Sequence, residues 1–113
     1  MKAAFIEMDV WMGHMQYIFT GEDASEILIK FNQVQDLSCL VNMGFCQEGP
    51  AGQAGLDKIE ELIDKHYDGE LTMQDFKDFD VRLSIGSMYC TAIAETDEEI
   101  EELKKKYPDA DVS

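Results

Sequence analysis

Between Asp57 and Asp80 the chain places nine carboxylates, Asp57, Glu60, Glu61, Asp64, Asp68, Glu70, Asp75, Asp78 and Asp80, against three lysines, Lys58, Lys65 and Lys77. Carboxylates at this density suit three kinds of chemistry. They chelate a hard cation, they act as acid and base when one of them is held protonated, or they set up a field that a cationic surface recognises.

For chelation, Asp64-Lys65-His66-Tyr67-Asp68-Gly69-Glu70-Leu71-Thr72-Met73-Gln74-Asp75 resembles an EF-hand calcium loop. The resemblance implies Asp64, Asp68, the Glu70 carbonyl and Asp75 as ligands, Gly69 as the sharp turn and Leu71 as the apolar eighth position. Two departures weaken calcium. His66 stands where an oxygen ligand belongs, and Asp75 is one methylene shorter than the usual bidentate Glu. No second loop is present to pair with it. A helix capped at Gly69 and a new helical start at Thr72 explain the same residues with no ion. No metal and no cofactor is expected.

Acid–base or nucleophilic catalysis lacks an inventory. The two histidines, His14 and His66, fall at expected turns or helix ends, with no serine or cysteine signature beside them. Cys39, Cys46 and Cys90 form no Cys-x-x-Cys pair, which fits buried thiols in a reducing, cytoplasmic setting. The glycine-rich segment at residues 46–55 matches no phosphate-binding motif, and the acids at the start of the helix after it oppose a bound phosphate. The expectation is a protein that is not an enzyme.

The third use remains. Asp and Glu number 24 against nine Lys and Arg, a formal net charge of −15, and Arg82 is the single arginine. Direct contact with DNA, RNA or an anionic membrane needs the opposite sign. Part of the charge is ordinary helix electrostatics: Thr96-Asp97-Glu98-Glu99 opens a helix that ends in Lys104, Lys105 and Lys106.

These groups need elements to hold them. Residues 2–10 alternate as a strand, a second strand follows at 15–20 after a turn, and Asp23-Ala24-Ser25-Glu26 opens a helix over 24–34. Period-two spacing of Leu37, Cys39, Val41, Met43 and Phe45 predicts a strand at 38–45, with a helical turn as the alternative for so short an apolar run. The segment 46–55 reads as a loop, and Leu56, Ile59, Leu62, Ile63 and Tyr67 as the apolar stripe of a helix. Strands near 79–85 and 88–95 flank Gly86-Ser87, the capped C-terminal helix follows, and 108–113 reads as a flexible tail.

With 45% hydrophobic residues in 113, the chain can bury one core, residues 1–113 as a single domain. The expected fold is α+β in the order ββαβαββα: a mostly antiparallel sheet of four or five strands with about three helices packed on one face. The N-terminus shows no signal peptide, and no apolar run is long enough to span a membrane.

The leading expectation is a protein-binding module whose carboxylates Asp57, Glu60, Glu61, Asp64, Asp68, Glu70, Asp75 and Asp78 occupy a basic nucleic-acid-binding site on a partner protein, such as a nuclease or another nucleic-acid-binding effector. In size and charge it looks like small anti-CRISPR and anti-restriction inhibitors and acidic nuclease-immunity proteins, although it carries no motif of theirs. Trp11 and Met12, at the first hairpin turn, have the side-chain types of interface anchors. The alternative is an intracellular adaptor docking through that hairpin or the glycine-rich segment.

Overall fold

Nine residues of unbroken extended chain at the N-terminus carry apolar groups on both sides, and such a strand belongs in the middle of a sheet covered twice. The computed structural model, which describes residues 1–10, 13–44, 49–84 and 86–113, places it there. β1 (Lys2–Val10) pairs antiparallel with β2 (Gly13–Gly21) on one side and with β4 (Gly86–Ala94) on the other. β3 (Asp80–Leu83) extends the sheet beyond β4, and β5 (Asp111–Val112) lies parallel to β2, giving the order β3-β4-β1-β2-β5.

The helices are α1 (Ala24–Val34), α2 (Leu37–Met43), α3 (Pro50–Asp68), α4 (Met73–Lys77) and α5 (Asp97–Lys106). The class is α+β, as expected, but the helices are not confined to one face. Ala4, Ile6 and Met8 of β1 join the large core under α1 to α4, built on Phe19, Phe31, Ile59, Leu62, Phe76 and Phe79. Ala3 and Phe5 point the other way, with Ile18 and Ala94, and are covered by Ile100 and Leu103 of α5. Tyr107 stacks on Phe5 with ring centroids 4.1 Å apart. An apolar half-face of sheet cannot be left in water, and the C-terminal helix is the element that covers it.

Three further expectations are corrected. Residues 37–43 form a helix rather than a strand. Asp36 caps it by accepting from the Cys39 amide at 3.0 Å, Gly44 ends it in a left-handed conformation, and Leu37 and Leu40, three apart, are its buried residues. A seven-residue apolar run fits both periods, and the caps decide between them.

Residues 50–55, expected within a loop, are the first turns of α3. Pro50 sits where the missing amide does no harm. Gly55 lets the helix lie against β3: a Cβ there would come within 3.0 Å of Val81 Cγ1 and 3.3 Å of the Arg82 nitrogen. Its glycine serves close packing rather than flexibility.

The expected C-terminal tail is tied down at its end. Ser113 donates its amide to the Ile18 carbonyl at 3.0 Å, and its carbonyl accepts from the amide and hydroxyl of Thr20 at 2.8 and 2.7 Å.

Candidate functional site

The α3 helix is held by Leu56, Ile59 and Leu62 against the sheet, and this fixes where its acids point. At 100° per residue, Asp57, Glu60, Glu61, Asp64 and Asp68 fall in one stripe centred opposite those buried positions. All five are exposed. The stripe runs about 16 Å along the axis, with carboxylates recurring three or four residues, about one turn, apart.

The two lysines of α3 lie together on one flank of this stripe. Lys58 Nζ is 3.7 Å and Lys65 Nζ 3.2 Å from Glu61, so one acid takes both cations. Asp57 accepts from the Gln53 amide at 3.0 Å. Glu60, Asp64 and Asp68 have no ion pair among the described residues.

Beyond the Glu61 pairs and the Gln53–Asp57 hydrogen bond, the helix gains nothing from these charges. No acid stands in its first turn, whereas Asp64 and Asp68 lie in its last two turns, where the macrodipole is already negative. In α5 the order is reversed and favourable: Asp97, Glu98 and Glu99 open the helix and Lys104, Lys105 and Lys106 close it.

The other expected site residues are distributed differently. The calcium-loop reading fails on the backbone. Asp64 through Asp68 are helical, Gly69 caps the helix at φ 73°, and Thr72 starts α4, so the would-be ligands do not encircle a point. Asp75 is a structural acid. It accepts from the Thr72 amide at 2.9 Å and from the Thr72 hydroxyl at 3.0 Å, and it pairs with Lys65 at 2.7 Å. Partial burial pushes its pKa up, but Lys65 and the Thr72 donors outweigh that and hold it below the usual carboxylate range. No group of three metal-ligating side chains occurs among the described residues.

Glu70 is exposed in the turn before α4, apart from the stripe's helical rows. Asp78 and Asp80 border an open groove with Asp9, Lys77, Arg82 and Tyr89. Asp80 alternates with Val81, whose side chain lies in the core beneath α3, so it projects from the opposite face of the sheet. The nine carboxylates between Asp57 and Asp80 are therefore not one surface. Trp11 and Met12 lie outside the described residues, as do residues 46–48 of the expected loop.

Sequence reasoning missed a second polar centre, on the half of the sheet that α5 leaves open. Strand register sets Asp9 opposite His14 and Glu7 opposite Gln16. On the other side β4 carries an extra residue, Thr91, between the partners of Phe5 and Ile6. Glu7, whose side chain is only 12% exposed, accepts from His14 Nε2 at 2.9 Å, from the Gln16 amide at 3.1 Å and from the Thr91 hydroxyl.

Partial burial alone would raise the Glu7 pKa, but these three hydrogen bonds outweigh it and lower it. His14 Nδ1 faces Asp9 at 3.3 Å, and the carboxylates of Glu7 and Asp9 together raise the imidazole pKa. Both ring nitrogens are turned to carboxylates, an arrangement that stabilises the imidazolium relative to the neutral ring. This centre is an ionic network across the hairpin. Its signal in the sequence was the i, i+2 pairing of Glu7 and Asp9 with His14 and Gln16 across one hairpin.

Cys90, on the same strand as Thr91, offers no nucleophile there. Burial pushes the Cys90 thiol up to about 12, so it stays protonated at neutral pH. No helix among the described residues is long and apolar enough to cross a membrane. Compared with protein-family models, with curated proteins and with solved structures, the chain matches none.

Proposed function

We propose that this chain is a non-enzymatic inhibitor or decoy that lays the outer face of α3 along a basic nucleic-acid-binding site of a partner protein. The observation that carries the reading is the stripe Asp57, Glu60, Glu61, Asp64 and Asp68, aligned on the solvent side of a helix whose other side is locked into the core. Charges that oppose the helix dipole and repel one another oppose folding, and a partner of opposite sign gives that arrangement a use. The carboxylates are held by a packed helix, so little chain entropy is lost when they meet a cationic groove. Their spacing along a rigid rod offers a groove built for phosphates a row of anions, competing by the same displacement of counterions.

Affinity capture from the native host's lysate, at low and at moderate salt, tests the reading. A basic nuclease or nucleic-acid-binding protein is expected at low salt, with steep loss at moderate salt. Its nucleic-acid binding should be competed by the purified chain. Recovery of neutral proteins equally at both salts, with no such competitor, contradicts the proposal.

A further inference from the structure

Beside the acidic stripe, α1, α2 and α3 enclose a cleft of about 200 Å³, lined by Leu28, Ile29, Leu37, Ile63, His66 and Tyr67. A cavity of roughly 150 Å³ suffices for benzene, so the space matches one aromatic side chain. Its mouth is marked by two side chains that folding leaves in water: Ile29 is 48% exposed and Tyr67 81%. His66 Nδ1, in the same wall, is buried and hydrogen-bonds to nothing among the described residues. Gln33 and Ser38 add polar groups at the edge.

The charge around the cleft is one-sided. On the helical wheel of α3, Ile63 and Tyr67 adjoin Glu60 and Asp64, while Lys58 and Lys65 lie on the far flank with Glu61. The margin of the stripe that faces the cleft is thus acid without a counterion among the described residues.

We propose that the cleft receives one aromatic side chain, tryptophan or tyrosine, from a lysine- or arginine-rich segment of the partner, whose cations lie on Glu60 and Asp64. This rests on the acidic-stripe reading and adds a specificity pocket to it. An aromatic anchor in a pocket beside a charged rim is how interfaces concentrate binding energy in few residues. The rim sets attraction and approach, and the pocket sets which basic segment stays. An N–H or O–H on the ring finds polar groups in the walls, which a purely apolar ring does not use.

The probe is a synthetic peptide with one tryptophan between two Lys-Lys-Lys blocks, titrated into the full chain with isoleucine-methyl NMR at low and moderate salt. Two control peptides replace the tryptophan by alanine or all lysines by glutamine. Expected are shifts at the Ile29 and Ile63 methyls and affinity at least about tenfold weaker for the alanine peptide. A comparable loss is expected for the Ile29→Asn chain, and a weaker, less salt-sensitive complex for Glu60→Gln/Asp64→Asn.

Equal binding of the tryptophan and alanine peptides overturns the cleft while leaving the stripe. Shifts confined to other methyls do the same. Equal binding of the lysine and glutamine peptides overturns the link between cleft and charge, and the acidic reading with it. No binding of any peptide at millimolar concentration overturns the cleft, whereas the stripe then stands or falls on the salt-dependent capture. The peptide arm requires no change in the protein, so a folding defect in a variant leaves the outcome readable.

Discussion

The two longest acidic helices of this chain use the same residue types to opposite ends. In α5 the acids Asp97, Glu98 and Glu99 sit at the N-terminus, Thr96 caps the helix by accepting from the Glu99 amide at 3.2 Å, and three lysines close it. Each charge meets the end of the dipole that favours it. In α3 the acids run along the outer face into the negative end, and the two lysines of the helix are gathered on Glu61 and Asp75. Acidity in α5 is accounted for by the helix that bears it. Acidity in α3 is accounted for only in part, by the pairs that Glu61 makes with Lys58 and Lys65, and on this contrast, more than on the net charge of −15, rests our proposal that α3 meets a partner.

The contrast can be broken most forcefully from beneath α5. Phe5→Ala removes a fully buried ring that supports Tyr107, and should lower stability by about 3–5 kcal/mol in urea unfolding. A loss below about 1 kcal/mol would mean that α5 is not seated on the sheet as described. A smaller effect sharpens the contrast directly. Asp97→Asn/Glu98→Gln/Glu99→Gln should destabilise by about 1 kcal/mol through lost dipole and capping interactions, and leave partner binding intact. Loss of partner binding in that folded variant would move the docking surface to α5.

The smallest effect comes from the ionic centre on the open sheet face. The His14 pKa is raised on folding, so its contribution is complete below its unfolded value of about 6.5 and is lost as pH rises through the folded value. The Glu7 pKa is lowered on folding, so its contribution is complete above its unfolded value of about 4.3 and is lost as pH falls through the folded one. Stability should therefore decline on both sides of weakly acidic pH, and His14→Gln should flatten the alkaline limb and, by removing one of the groups that lower the Glu7 pKa, weaken the acidic limb as well. Melting temperatures from about pH 2 to 9 read this out, and an unchanged alkaline limb in the variant would refute the role given to His14.

Much of this architecture was legible in the sequence because local signals agreed: the alternation of β1, the Asp23 cap of α1, the Thr96 cap of α5 and the stop at Gly69 all stand where expected. The failures share a physical cause. Leu37 to Met43 is too short for periodicity to separate helix from strand, and its caps, Asp36 and Gly44, are single residues. Gly52 and Gly55 suggest a loop by composition, but both are buried in α3, and the close approach at Gly55 depends on Val81 of β3, which is distant in sequence.

The site was half legible. Helical spacing was enough to align Asp57, Glu60, Glu61, Asp64 and Asp68, whereas the inward turn of Asp75 toward Lys65, the opposite facing of Asp80 and the Glu7–His14–Asp9 contacts all depend on register and tertiary packing.

The most direct test neutralises the stripe without changing its shape. In Asp57→Asn/Glu60→Gln/Asp64→Asn/Asp68→Asn, urea unfolding should show stability within about 0.5 kcal/mol of the parent or higher, because like charges near the negative end of a helix are removed. Affinity for the captured basic partner at low salt should fall at least about a hundredfold, together with its salt dependence. A variant that binds the partner as tightly as the parent, or one that loses binding only because it unfolds, would contradict the assignment of these carboxylates to a partner.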